Sequence, residues 1–231
     1  MPDFYQSAKD VEPPTVVDHV LLPVADLVEG AQRLRDRFGL ESIAGGRHPN
    51  VGTANRIVPL GSQYLELIAI VDPEEAAASL LGRRVARALK DGTTFVAWAL
   101  RTQDLDALRR KCQAAGWDLP PMIEGSRKRP DGEVLSWRTQ YLDSSPVPIA
   151  IPFVIEWRIP NRLHPGQSPA VHQGRVTTLR RVVVGARDPG RVRGQLQLLL
   201  GKSDLYEVRE AGADRVQEVV LVDEDGEIAI T

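Results

Sequence analysis

The stretch Val16-Val17-Asp18-His19-Val20-Leu21-Leu22-Pro23-Val24-Ala25-Asp26 decides the fold, together with the helical pattern that follows it to Gly39. The apolar run reads as a buried strand. Asp26 is placed to cap a helix, with Glu29 completing a capping box. Leu27, Ala31, Leu34 and Phe38 recur at helical spacing, and Gly39 supplies the left-handed position past the end. This grammar returns twice. Phe95-Val96-Ala97-Trp98-Ala99-Leu100 precedes Asp104, a helix through Leu105, Leu108 and Cys112, and Gly116. Arg181-Val182-Val183-Val184-Gly185 precedes Asp188-Pro189, a helix through Val192, Leu196 and Leu199, and Gly201. The cap-to-glycine distances are 13, 12 and 13 residues (26 to 39, 104 to 116, 188 to 201).

Strand patterns follow each helix: Glu41 to Ala44, Asn55 to Leu60 and Gln63 to Val71; then near Met122-Ile123-Glu124, Val134 to Leu142 and Ile151 to Trp157; then Leu205 to Arg209, Val216 to Val222 and Glu227 to Thr231. Turn signals separate them at Leu60-Gly61-Ser62, Pro130-Asp131-Gly132 and Asp223-Glu224-Asp225-Gly226. The chain therefore reads as an α+β protein of three βαβββ units. Units 16–71 and 93–157 form one paired domain (16–157), 158–176 is a proline-containing linker, and 177–231 is the third unit. A helix starting at Asp72-Pro73 and carrying Leu80, Leu81, Val85 and Leu89 on one face connects the first two units.

Composition narrows the function classes. The net charge of −2 is not the basic excess of a nucleic-acid-binding domain. Arg83-Arg84-Arg87 and Arg109-Arg110-Lys111 accordingly read as solvated helix faces. The single cysteine, Cys112, excludes an internal disulfide and a cysteine-based zinc site, and reads as a small core residue. No apolar run reaches the length of a membrane span, and Met1 to Thr15 lacks the apolar core of a signal peptide, so a cytoplasmic protein is expected. There is no P-loop, no GxGxxG after a strand, no HExxH and no nucleophile elbow.

Three residues stand out against their apolar strands: His19, Glu66 in Tyr64-Leu65-Glu66-Leu67-Ile68-Ala69-Ile70, and Glu156 in Pro152-Phe153-Val154-Ile155-Glu156-Trp157. A charge in such a strand needs a partner, a solvated cleft or a metal. One imidazole and two carboxylates suit Mn²⁺, Fe²⁺, Co²⁺, Ni²⁺ or Zn²⁺. Simpler readings stay open: a hydrogen-bonded strand histidine, a Glu66 salt bridge to Arg47 or Arg56, and a Glu156 at a solvated sheet edge. His164 and His172 read as loop residues of the linker.

The βαβββ repeat, with Asp18-His19-Val20 on the first strand and Tyr64-Leu65-Glu66-Leu67-Ile68 on the last, resembles the vicinal oxygen chelate superfamily. Gly45-Gly46-Arg47-His48-Pro49, Gly52-Thr53-Ala54-Asn55-Arg56 and His164-Pro165-Gly166 are similar to its glyoxalase-like group. The resemblance implies a paired half-barrel of the glyoxalase/bleomycin-resistance kind. Metal ligands would come from the first and last strands of each unit: His19, Glu66 and Glu156, with Ala97 at the fourth place. It further implies a metal-dependent lyase or isomerase that acts on a small oxygenated metabolite by proton transfer next to a carbonyl. The alternative is a non-catalytic small-molecule-binding protein of the bleomycin-resistance type. In the enzyme reading, Glu156 is the candidate general base if it is not a firm metal ligand. Arg47, His48, Asn55, Arg56, Trp98 and Arg138 are candidate substrate contacts, with Trp157 weighted less because it adjoins Glu156 and points to the opposite face. Counting from Asp188 lands on Arg181 and Ile228, so no equivalent site is expected in the third unit. With no fourth unit to pair with, its sheet is expected to expose an apolar face, and a homodimer to cover it.

Overall fold

A computed structural model describes residues 15–129, 131–173, 176 and 178–231. The N-terminal segment read for a signal sequence (apart from Thr15) and Pro130 of the second turn lie outside these residues. The first unit is built from β1 (Val16–Pro23), α1 (Leu27–Phe38), β2 (Ile43–His48), β3 (Thr53–Leu60) and β4 (Gln63–Ile70). The second is β5 (Ala97–Arg101), α4 (Leu105–Ala114), β6 (Ile123–Lys128), β7 (Val134–Gln140) and β8 (Phe153–Trp157). Asp26 accepts hydrogen bonds from the Val28 and Glu29 amides, and Gly39 closes α1 at φ 65°. Asp104 caps α4 through the Ala107 amide. Cys112 lies on the buried face of that helix, in the core.

The eight strands form one sheet in the order β2-β3-β4-β1-β5-β8-β7-β6. The order is palindromic about the β1–β5 seam. Each unit pairs its last strand parallel to its first, β4 with β1 and β8 with β5, and the two first strands pair antiparallel. The sheet curls until its edges approach: a Cβ on Gly46 of β2 would lie 2.9 Å from the Lys128 carbonyl oxygen of β6. One face of the sheet carries α1, α4 and the main core. The other holds a smaller cluster that includes Leu21, Ile68, Ala97, Ala99, Tyr141, Phe153 and Ile155 and bounds the concave side.

The connector between the units is two helices, α2 (Pro73–Ala78) and α3 (Leu80–Asp91), rather than the single helix read from sequence. Ser79 breaks it. Its backbone is extended, and its hydroxyl caps α3 through the Gly82 amide while donating to the Val51 carbonyl. Arg84, read as solvated, is buried, and its guanidinium donates to the Asp143 and Ser145 carbonyls.

The third unit keeps the expected element order: β9 (Thr178–Ala186), α5 (Pro189–Leu200), β10 (Tyr206–Glu210), β11 (Arg215–Val222) and β12 (Glu227–Ile230). Its pairing differs. The strands run β10-β9-β11-β12, with β10 returning parallel beside β9 after the helix. It is a separate four-stranded sheet, not a third copy of the half-barrel. The face bearing Leu179, Val182, Val184, Val216, Val219 and Leu221 joins the main core. The opposite face carries ion pairs of Arg181 with Glu207 and Glu227, and of Arg209 with Glu207 and Glu218. Among the described residues that face thus carries ion pairs where an apolar surface was expected.

The linker is not a loose tether. Short 3-10 turns at Asn161–Leu163 and Pro165–Gln167 pack it against the first unit. His172, expected as a loop residue, bridges the Glu41 amide and the Pro59 carbonyl. Among the described residues no helix is long and apolar enough to cross a membrane.

Candidate functional site

The concave side of the sheet encloses a cavity of about 490 Å³, within the range of small-molecule sites. Its floor begins at β1. The β1–β5 ladder slips register between Val17 and His19, leaving Asp18 unpaired in the ladder. Strict alternation would send Asp18 and His19 to opposite faces; the bulge lets them meet. Asp18 is fully buried. Its Oδ1 lies 2.7 Å from His19 Nδ1, and its Oδ2 lies 3.0 Å from His164 Nε2 and 3.3 Å from an Arg101 nitrogen. Trp157 Nε1 donates to both oxygens at 3.3 Å. Gly166 donates its amide to His164 Nδ1, which leaves Nε2 facing Asp18, with an Arg101 nitrogen 3.1 Å from the same Nε2. Burial alone would raise the Asp18 pKa; the hydrogen bonds and charges of His164 and His19 outweigh it and hold the carboxyl well below the usual carboxylate range.

With Nδ1 engaged by Asp18, His19 turns Nε2 toward Glu66 Oε2, 3.5 Å away. The ring stacks on Tyr64 at 4.4 Å between centroids and 12° between planes. Glu66 Oε1 accepts from Asn55 Nδ2 at 2.8 Å, and the same nitrogen lies 3.2 Å from His48 Nε2. His48 Nδ1 reaches the Thr53 hydroxyl at 2.9 Å. Asn55 is aimed by the Gly46 amide, which donates to Oδ1. A Cβ on Gly45 would stand 1.9 Å from that oxygen, so only glycine leaves room for Asn55 in this orientation. Burial is the main reason the His48 pKa falls; Arg127 and His19 add to the fall and Glu66 opposes it. Burial, with the Asp18 and Glu66 charges, raises the Tyr64 phenol well above its ordinary value.

The second unit contributes a different wall of Trp137, Trp157, Tyr141, Phe153, Ile155 and Ile123. Trp137 meets Trp157 edge-on at 5.5 Å. Burial pushes the Tyr141 phenol up to about 12. Gly125 sits opposite Trp137, and a Cβ there would lie 2.4 Å from the indole nitrogen. Arg127 on β6 also faces this side and is 6% exposed.

Strand register matches the two walls position by position. Tyr64 pairs with His19, and Phe153 with Ala99. Two residues on, Glu66 corresponds to Ile155. Ile57 pairs with Glu66 as Thr139 pairs with Ile155, so Asn55 corresponds to Trp137. His48 and Arg127 lie two residues beyond the glycines facing those side chains.

Of the residues singled out by sequence, His19, Glu66, His48 and Asn55 come together in the cavity. Glu156 does not. Ile155 and Trp157 face the cavity, so Glu156 between them points to the helix side. There it binds Arg138 at 2.7 Å and caps α4 through the Leu105 amide at 2.9 Å. Burial would raise its pKa, but the Arg138 and Leu105 hydrogen bonds and the nearby Arg158 leave it below its ordinary value. Arg138 also holds Asp106, away from the cavity. Arg47 is half-exposed and paired with Asp72 and Glu75. Arg56 is bound to Ser42. Trp98 lies in the core on the helix side, donating to the Ala150 carbonyl. Trp157, given less weight, lines the cavity: it does oppose Glu156, but the cleft lies on the tryptophan's side. His164, expected as a solvated loop residue, is buried against Asp18. Asp18, Tyr64, Arg127, Trp137 and Tyr141 were not singled out; only the Asp18-His19 adjacency carried a readable signal, hidden by the bulge.

These residues do not fit the three-ligand metal site read from sequence. His19 and Glu66 supply two converging donors. Register puts Ala99 and Ile155 where the second unit would supply more, and both Glu66 Oε1 and His48 Nε2 are engaged by Asn55. Among the described residues no group of three or more His, Cys, Asp or Glu is arranged to hold a metal ion, whereas zinc sites draw three or four protein ligands.

Residues 17–200 match the sequence profile of a family described as a glyoxalase-like domain. No curated protein matches the sequence. Among solved structures, a hypothetical protein from Staphylococcus aureus superimposes with a TM-score of 0.63 at 17% identity, covering 93% of this chain and 84% of that one. Such coverage extends well past Trp157, so the shared fold includes the third unit. Methylmalonyl-CoA epimerase from Mycobacterium tuberculosis aligns at 20% identity over 62% of this chain and 86% of its own, with a TM-score of 0.43. A variant of the Streptomyces coelicolor methylmalonyl-CoA epimerase, in complex with 2-nitronate-propionyl-CoA, aligns at 17% identity over 62% of this chain and 94% of its own, with a TM-score of 0.46.

Proposed function

The chain belongs to the glyoxalase-like domain family of the vicinal oxygen chelate superfamily, and from that premise we propose that its cleft binds a small oxygenated metabolite and moves a proton at the carbon next to a carbonyl. The reaction is of the isomerase or lyase kind. One observation carries this reading: Asp18, His19, Glu66 and Asn55 follow one another along the cavity floor, with His19 Nε2 3.5 Å from Glu66 Oε2.

In this reading Glu66 is the base. Asn55 holds Oε1, which leaves Oε2 to take the proton from substrate carbon. The electron pair of the broken C–H bond moves into the carbon–carbon bond, and charge develops on the carbonyl oxygen. His19, oriented through Nδ1 by the anionic Asp18, turns Nε2 toward that oxygen, and a proton carried there would be donated to it. Delivery of that proton by Glu66 to the other carbon of an enediolate, with the hydroxyl proton passing from one oxygen to the other, completes the isomerisation of a hydroxy ketone or aldehyde; loss of a neighbouring leaving group completes an elimination. No step passes through a metal.

Solvent-deuterium exchange next to the carbonyl, followed by NMR over a panel of small ketones and 2-oxo acids, tests this. The wild type should exchange faster than buffer with at least one member, and Glu66→Gln should lose about 100-fold or more of that rate. Exchange that survives in Glu66→Gln, or binding without any exchange, overturns it. The second outcome would establish the sequestration reading, which the tryptophan wall favours.

A further inference from the structure

Arg127 is more than nine-tenths buried at the cavity wall, yet no carboxylate among the described residues lies within 4.0 Å of its guanidinium, and it donates no hydrogen bond to any of them. The other arginines near the site are each paired: Arg101 with Asp18, Arg129 with Asp131, Arg138 with Glu156 and Asp106. A buried guanidinium stays charged and is costly to leave without an anion. Its flat fork matches a carboxylate. Trp137 and Trp157 line the same cavity and meet edge-on there.

Building on the proton-transfer reading of the same cleft, we propose that Arg127 binds the carboxylate of a small acid whose body is aromatic or similarly apolar. The acid's carboxylate sits on the second unit's wall, its ring lies against Trp137 and Trp157, and the carbon chain between them reaches toward Glu66. A carboxylate suits the site better than a dianion, because Glu66 already places one negative charge in the cavity.

Phenylacetate and phenylacetamide share a shape and differ in charge, so they make the deciding pair of probes. Titration followed by calorimetry and tryptophan fluorescence at low salt should show phenylacetate binding the wild type at least tenfold more tightly than the amide. Arg127→Met should abolish that preference while leaving amide binding unchanged, and Arg127→Lys should keep part of it. Equal binding of acid and amide to the wild type overturns the proposal without needing any variant. So does an acid preference that survives Arg127→Met, or no binding of either probe at 10 mM, a concentration chosen as about tenfold above a millimolar Kd. Glu66→Gln separates the two readings. If it binds phenylacetate but also keeps its exchange activity, proton transfer by Glu66 fails and this proposal stands. If exchange on neutral ketones depends on Glu66 while acid and amide bind alike, this proposal fails alone.

Discussion

The two halves of the cleft share one backbone and opposite chemistry. Each places a first strand at the seam, a last strand parallel beside it and a glycine opposite the third cleft-facing position. On those matched positions the first unit carries His19, Tyr64, Glu66, Asn55 and His48, and the second carries Ala99, Phe153, Ile155, Trp137 and Arg127. Hydrogen-bond register thus fixes where a side chain points and says nothing of what it is. On the proposed reading one wall exchanges protons and the other holds an apolar ring and an anion, and that division would orient a substrate with a reactive carbon and a charged end.

The largest effect should come from making the halves alike. Ile155 holds the place that Glu66 holds on the other wall, so Ile155→Glu would add the missing carboxylate opposite His19 and Glu66. Co²⁺ affinity, read by titration and visible absorption, should rise by about 100-fold or more, since each added ligand contributes several kcal/mol to transition-metal binding. Unchanged affinity would show that the two walls are equivalent in register but not in reach.

Asp18 comes next, because it ties the walls together: His19 belongs to the first unit and Trp157 to the second. Asp18→Asn leaves a buried imidazole and arginine without their anion and should cost ~3–5 kcal/mol in urea unfolding. The pH dependence has a definite sign. A carboxyl lowered in the folded state stabilises fully above its unfolded pKa of about 3.9 and loses that contribution as pH falls toward the folded value. The wild type should therefore lose stability steeply below about pH 4, and Asp18→Asn should flatten that acid limb. An equally steep limb in the variant would assign the acid sensitivity elsewhere.

Glu66 and Glu156 show why the fold was more legible than the site. Both interrupt Leu/Ile/Val-rich strands, and periodicity correctly placed both on the closing strand of a unit. Caps at Asp26, Asp104 and Asp188 marked the helices for the same local reason: the residue and the amide it satisfies are neighbours in sequence. Which sheet face bounds the cleft is not local. It depends on the curl of eight strands, so Glu156 and Trp157, one residue apart, exchange roles. Arg138 looked like a substrate contact until Asp106 and Glu156, 32 and 18 residues away in opposite directions along the chain, were seen to occupy it. In the third unit the element order was readable and the pairing was not, since β10 could have lain on either side of the sheet. Asp18 was lost for a smaller reason, a one-residue bulge that alternation cannot foresee.

Glu156 yields the next measurement. It is held by Arg138 and the start of α4, so Glu156→Gln should cost ~1–3 kcal/mol of stability and leave deuterium exchange and phenylacetate binding within twofold of wild type. A loss of exchange as large as that of Glu66→Gln would return Glu156 to the reaction and break the contrast between the faces.

The smallest effect lies at His48, the first unit's counterpart of Arg127. Burial chiefly lowers its pKa in the folded protein, with Arg127 on the adjoining edge strand β6 and His19 pushing the same way and Glu66 against them. A histidine kept neutral by folding has a simple linkage: below its unfolded pKa of about 6.5 the unfolded chain takes up a proton that the folded chain refuses, so stability falls as pH falls. His48→Gln keeps a polar side chain without the titration, and should remove up to about 1 kcal/mol of the stability difference between pH 7.5 and pH 5.5. Arg127→Met should remove less, because it lifts only one of the charges acting on the ring. Urea midpoints at the two pH values decide the matter. If Arg127→Met leaves the wild-type slope intact while His48→Gln flattens it, burial and the first unit's own charges keep His48 neutral and the two walls do not sense each other's charge; if both flatten it in that order, the cation of one wall is felt by the imidazole of the other before any ligand arrives.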